Sequence, residues 1–74
     1  MKGDYETAPT ADGRWRVQQH GAQRAVKVHD HQSSAWDQTK GLAKSSGTEA
    51  FLKNRQGQIR ERNTYGYDPE KSRG

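Results

Sequence analysis

Residues 11–18, which read ADGRWRVQ, contain the first clear signal of a regular fold. Asp12-Gly13 is a common turn pair in β-hairpins, because glycine tolerates a positive φ angle. Directly after the turn, charged or polar side chains alternate strictly with apolar ones, which places Trp15 and Val17 on one face of a strand. The stretch therefore predicts a hairpin whose second strand is buried on one face.

Strand patterns continue on both sides of this stretch. Residues 5–9 alternate weakly and predict the first strand of the hairpin, and after a turn at residues 20–23 the alternation returns at residues 25–29. In that third segment we expect Val26 and Val28 to point into the core.

From about residue 31 to residue 46 the apolar period changes to that of a helix. One stripe of such a helix contains Ala35, Trp36, Thr39, Leu42 and Ala43. We expect Asp30 or its neighbour to cap the helix, and Gly47 to end it in the left-handed conformation. Because Gly41 costs about 1 kcal/mol relative to alanine inside a helix, packing of the stripe must hold this helix together.

Two further strands are expected after the helix. Residues 50–52 form a short apolar run, residues 55–57 form a turn, and residues 58–63 form the last strand with Ile59 inward. The order β-β-β-α-β-β predicts an α+β fold, an antiparallel sheet of four to five strands with one helix packed on one face. We expect one small domain over residues 1–64 and a loosely ordered C-terminal tail at residues 65–74.

The composition limits what such a domain can do. The 74 residues include 13 Lys and Arg against 9 Asp and Glu, a net charge of +4, and the hydrophobic fraction is 27%. An average globular domain is about 45–50% apolar, so a membrane span, a large core and a cofactor-sized cavity are excluded, and an enzyme or a bound cofactor is not expected. The chain has no cysteine and no apolar segment after Met1, which predicts a cytoplasmic location.

Several of these segments resemble one protein family. The most specific of them reads GQIRERNTYG, in which a glycine, an isoleucine, an Arg-Glu-Arg triplet and a Tyr-Gly pair lie close together. The resembling segments are residues 12–17, Arg24-Ala25, residues 35–43, residues 57–66 and Asp68-Pro69. On these residues the chain resembles, from Tyr5 to Pro69, the small bacterial and phage proteins known as domain of unknown function 2188. The resemblance implies a compact domain and implies no activity.

The charged positions of the strands predict a basic face. If the apolar positions face the helix, strand parity sends five cations to the opposite face of the sheet: Arg14, Arg16, Lys27, Arg60 and Arg62. Lys53 borders them if its strand has the matching parity. Cations spread over a sheet can contact phosphates and release counterions, so the leading hypothesis is a nucleic-acid-associated module that binds DNA or RNA.

A solvated or protein-binding face is the alternative interpretation of the same surface. Glu49 and Glu61 neutralise part of its charge, and no aromatic side chain is clearly interleaved with the cations, which weakens the case for stacking of single strands.

An apolar spot could instead bind a protein partner. Phe51 and Leu52 are adjacent in a strand and point to opposite faces, so one of them must leave the core. Either it supports a contact with a partner, or long arginine stems shield it. Tyr67 is a further candidate contact, whereas we expect Tyr65 to cover the rim of the core. The alternative function is thus a phage- or stress-related accessory module. A homodimer could also form, because the edge strands of two chains can pair.

The histidines and serines give little support for chemistry. His29 and His31, with His20 upstream, have a spacing that two metal ligands could share, but no third and fourth ligand is evident. Asp30 between them is more simply a helix cap. At the expected helix ends lie Ser33, Ser34, Ser45 and Ser46. No histidine and aspartate pair frames them as a nucleophile would require. We therefore predict surface histidines, no metal site and a protein that is not an enzyme.

Overall fold

The computed structural model of the protein describes residues 3–65. This part of the chain forms five strands and one helix, in the predicted order and with the predicted α+β architecture. The elements are β1 (Tyr5–Pro9), β2 (Trp15–Gln19), β3 (Lys27–His29), α1 (Gln32–Ser46), β4 (Glu49–Lys53) and β5 (Ile59–Thr64). Tyr67 and all but the first residue of the predicted tail lie outside the described residues.

The five strands form one mixed sheet with the order β3-β2-β1-β4-β5. Neighbouring strands are antiparallel except at the centre, where β1 and β4 run parallel with Tyr5 opposite Ala50 and Thr7 opposite Leu52. The parallel pair departs from the expected antiparallel sheet and has a simple cause. β3 runs in the same direction as β1, and α1 then returns the chain to the end of the sheet where β1 begins.

The turns and the end of the helix use glycine where the sequence predicts it. Gly13 has a φ of 89° in the β1–β2 turn, and Gly47 has a φ of 69° at the C-cap of α1. The start of the helix is less well capped. The N-cap residue is His31, the neighbour of Asp30, and its side chain makes no capping hydrogen bond.

One face of the sheet packs against α1 and contains the core. The predicted helix stripe is confirmed, since four of its five members are buried and Leu42 is half-buried. The sheet contributes Trp15, Val17, Ala50 and Leu52. Tyr65 packs against the edge of this core, as expected, and so does Tyr5.

A pair of threonines joins the helix to the central strand β1. The hydroxyl oxygens of Thr7 and Thr39 are 2.5 Å apart, and both residues are fully buried. Thr39 also donates to the carbonyl oxygen of Ala35 at 2.9 Å. Because a hydroxyl group carries one hydrogen, Thr7 must be the donor in the bond to Thr39.

Three apolar side chains that we expected in the core lie outside it. Val26 and Ile59 are 49% and 58% exposed, and Val28 is paired with Arg16, which places it on the face away from α1. In β3 the alternation is displaced by one residue, which sends every side chain of this short edge strand to the other face.

For Ile59 the cause is a β-bulge. The register shifts between Leu52 and Lys53, so that Leu52 lies opposite Glu61 but Lys53 lies opposite Ile59. The extra residue moves Ile59 to the side of the sheet away from the helix.

Candidate nucleic-acid interface

The face of the sheet that is turned away from α1, called the open face here, collects side chains from all five strands. Strand register determines its members. They are Glu6, Ala8, Arg16, Gln18, Val28, Glu49, Phe51, Lys53, Ile59, Arg62 and Thr64.

A carboxylate lies at the centre of this face. Glu6 on β1 is only 7% exposed, and three nitrogen-bearing side chains surround it. Arg16 Nη2 is 3.0 Å from Oε2, while His20 Nε2 at 3.0 Å and Lys53 Nζ at 3.2 Å contact Oε1. We call these four residues the Glu6 cluster. Lys53 connects β1 with β4, and Arg16 and His20 connect β1 with β2 and with the residue that follows β2.

The cluster keeps Glu6 ionised. Burial by itself raises the pKa of Glu6, but the hydrogen bonds from Lys53 and His20 and the electrostatic attraction of both side chains outweigh burial. The pKa of Glu6 therefore lies below its ordinary value of 4.5. At neutral pH the carboxylate accordingly holds its partners in place as an anion.

Arg16 is fixed by three hydrogen bonds. Its Nε donates to Gln18 at 2.9 Å, Nη1 donates to the carbonyl oxygen of Pro9 at 3.2 Å, and Nη2 donates to Glu6. A guanidinium group has five N–H donors, so two remain for a ligand. The side chain is 33% exposed, which makes it a positioned cation that can still be contacted.

An aromatic ring pair lies beside the cluster. The rings of Phe51 and His20 are stacked, with centroids 5.5 Å apart and planes 12° from parallel. The His20 side chain is 43% exposed, and Phe51 is half-buried. An aromatic side chain therefore does lie among the cations, which the sequence did not clearly indicate. Leu52 is 3% exposed in the core, so Phe51 is the member of that pair that leaves it.

Arg62 is the most accessible cation of the open face. It lies directly opposite Phe51 in the neighbouring strand, and its side chain is 62% exposed, compared with 32% for Lys53. The carboxylate of Glu49 is 3.9 Å from Arg62 Nε. A pair this long and this exposed contributes little, because water and salt screen it.

The predicted basic face is only partly assembled. Arg16 and Arg62 lie on the open face. Arg14 precedes β2 in the turn, paired with Asp12 at 3.1 Å, and Arg60 is the extra residue at the bulge of β5. Lys27 lies opposite Val17, on the helix side of the sheet. Its predicted position on the open face was therefore wrong, because the alternation in β3 is displaced by one residue, as it is for Val28.

Three members of the site were missed or left open by the sequence. Glu6 alternates with Tyr5 and Thr7, and this parity is the signal that could have placed it on the open face. The position of Lys53 on the open face follows once Leu52 is assigned to the core, because neighbouring residues of a strand point to opposite faces. His20 lies beyond the end of β2, where no strand pattern determines its direction.

The three histidines lie in different places. His20 belongs to the Glu6 cluster, His29 Nε2 is 2.7 Å from Gln38 Oε1 on α1, and His31 is at the start of the helix. Within residues 3–65 no group of three or more potential metal ligands comes together, and this part of the chain contains no pocket. No helix of this region is long and apolar enough to cross a membrane.

These features define a class of protein, a small α+β domain whose open sheet face carries cations around an aromatic pair. Residues 5–65 match the family model DUF2188, described as an uncharacterized protein conserved in bacteria. Because the match spans most of the chain, the protein belongs to this family, as the sequence resemblance indicated. No curated protein and no solved structure matches the chain.

Proposed function

We propose that this protein is a non-catalytic module that binds nucleic acid through its open face. The observation that carries the proposal is the grouping of Arg16, Lys53 and Arg62 around the stacked rings of Phe51 and His20. In such an arrangement phosphates pair with the cations, and bases or sugars contact the rings.

The charge of the open face favours an anionic ligand in spite of its two carboxylates. Glu6 and Glu49 offset two of the three cations, but their side chains are 9% and 34% exposed. The cations are 32–62% exposed, so an approaching ligand meets them before it meets Glu6. The chain as a whole carries a charge of +4. We expect moderate, salt-sensitive affinity, because few phosphates are neutralised.

A cytoplasmic location agrees with this function, since DNA and RNA are accessible there. The alternative is a protein-interaction module, phage- or stress-related, that docks a partner or a second copy of the chain through the same face. The half-buried ring of Phe51 favours this alternative, because an aromatic side chain on an open sheet can also anchor a protein.

Fluorescence anisotropy of labelled DNA and RNA at roughly 50 and 200 mM salt tests the proposal, because phosphate-driven binding weakens strongly over this range. We expect Arg62→Glu to weaken binding to all sequences and to reduce the salt dependence by about one ion. Lys27→Glu is the matched control, since it makes the same charge change on the other side of the sheet.

Two outcomes would contradict the proposal. One is the absence of binding at low salt, after which the protein-docking alternative becomes the leading hypothesis. The other is an equal loss of affinity in Arg62→Glu and Lys27→Glu, which would mean that net charge rather than the open face determines binding.

A further inference from the structure

We infer that the open face selects single-stranded over double-stranded nucleic acid, because an unpaired base can stack on the ring pair of Phe51 and His20. This inference rests on the proposed function and names the class of ligand that the same face takes. DNA and RNA single strands share the required chemistry, a flat base attached to a flexible chain of phosphates.

The ring pair is already ordered for stacking. Its planes are within 12° of parallel, and the imidazole is held by the hydrogen bond between His20 Nε2 and Glu6 Oε1 at 3.0 Å. A ligand therefore does not have to order these rings when it binds, and the entropic cost of association falls accordingly. An added base extends an existing stack of two rings, which every base can do because every base has a π-face.

The cations lie on both sides of the rings. Arg62 follows on β5, next to Phe51, and Arg16 lies on β2, beyond β1. Three strand spacings separate β2 from β5, about 14 Å in all. A single strand that crosses the sheet can thus place a base on the rings while its phosphates meet a cation on either side.

A duplex cannot use the same features. Its bases are paired and stacked inside the helix, and a protein reads them by inserting a helix or a two-stranded ribbon into a groove. Here α1 packs on the opposite side of the sheet, and the open face belongs to a five-stranded sheet, which is wider than a two-stranded ribbon. A duplex is left with phosphate contacts, which single strands also make.

The test compares four ligands of about 10 nucleotides, a length within the range of known single-strand sites. They are oligo-dT, oligo-U, a duplex, and an abasic oligomer that has the phosphates but no bases. We expect oligo-dT and oligo-U to bind at least about fivefold more tightly than the abasic oligomer, the lower limit for one stacked base. The comparison of oligo-dT with oligo-U shows which sugar is preferred.

Two variants connect this preference to the rings. Phe51→Leu keeps an apolar side chain of similar size, and His20→Gln keeps a donor for Glu6, but each removes one ring. Both should weaken oligo-dT binding about fivefold or more and weaken binding of the abasic oligomer much less, because that oligomer has no base to stack on the rings. His31→Gln, at an exposed position on another part of the surface, is the matched control for His20→Gln. Thermal melting confirms that the variants are folded.

The outcomes separate this inference from the proposed function. Equal affinity for oligo-dT and the abasic oligomer, with binding that still falls with salt and with Arg62→Glu, overturns the stacking inference and keeps nucleic-acid binding. Preference for the duplex overturns it in the same way. If none of the four ligands binds at low salt, the proposed function is wrong and the inference falls with it.

Discussion

The contact between α1 and β1 depends on two hydroxyl groups. Thr7 donates to Thr39, and Thr39 donates to the carbonyl oxygen of Ala35. Removing one partner of a buried hydrogen bond leaves the other unsatisfied, whereas removing both leaves an apolar contact of nearly the same shape.

We expect Thr39→Val to lower the free energy of unfolding by about 1–3 kcal/mol, because the Thr7 donor is left without an acceptor. Thr7→Val should cost less, since Thr39 keeps its bond to Ala35. The double variant should be more stable than the sum of the two losses predicts. Urea denaturation of the three variants measures this, and strictly additive losses would contradict the proposed donor and acceptor roles.

The burial of Glu6 is the feature of the site that could not be predicted from the sequence. A charged residue within a strand is ordinarily assigned to a solvated face, yet Glu6 is 7% exposed. Its burial comes from side chains that are 10 to 47 positions away along the chain, Arg16, His20 and Lys53. Such a cluster can be recognised only after the strands have been placed in order.

At the scale of elements, the helix was the most predictable part. The stripe from Ala35 to Ala43 located the helix, because helical periodicity repeats over many residues. Gly47 located its C-terminal end. The edge strand β3 has three residues, too few for the alternation to determine a face. In β5 a bulge changes which residues face the helix, and the local sequence does not indicate where the extra residue is placed.

The helix contains a residue that weakens it. Gly41 is exposed, and apart from its chain neighbours and the adjacent helix backbone no atom of the described residues lies within 4 Å of the position that a Cβ would take. We expect Gly41→Ala to stabilise the protein by about 1 kcal/mol, which raises the melting temperature by about 4–8 °C in a domain of this size.

Gly47→Ala is the control for this substitution. Gly47 has a φ of 69°, which an alanine adopts only with strain. The same added methyl group should therefore destabilise the protein there. Thermal melting followed by circular dichroism measures both variants, and a lower melting temperature for Gly41→Ala would show that the helix has no room at this position.

At the scale of the whole molecule, the Glu6 cluster makes stability depend on pH. The folded protein lowers the pKa of Glu6 from its ordinary value of 4.5. As the pH falls, Glu6 is therefore protonated in the unfolded chain before it is protonated in the folded protein. The stability that the ionised carboxylate provides begins to fall near pH 4.5 and is lost as the pH passes the lower pKa of the folded state.

We expect Glu6→Gln to destabilise the protein clearly at about pH 7 and less at about pH 3, which lies below the ordinary pKa of 4.5, because the unfolded chain then binds a proton and the stabilisation by the ionised carboxylate decreases. Urea midpoints at the two pH values measure the difference. Glu49→Gln is the control, because its contact with Arg62 is long and exposed, and it should have little effect at either pH. An equal loss for Glu6→Gln at both pH values would show that the charge of Glu6 is unimportant for stability.

The sequence predicted the elements of the molecule better than their arrangement. The succession of strands and helix follows from local patterns, whereas the parallel contact between β1 and β4 joins residues about 45 positions apart, such as Tyr5 and Ala50. Which strands become neighbours depends on how the helix crosses the sheet, a property of the assembled chain.

The central position of β1 has a consequence for synthesis in the cell. β1 needs β2 on one side and β4 on the other, but β4 is translated only after the helix. During that interval a growing chain can form its first hairpin while one edge of β1 exposes unpaired N–H and C=O groups. Chains in this intermediate state can pair with one another through the exposed edge, so the yield of correctly folded protein should depend on how long β1 waits for residues 49–53.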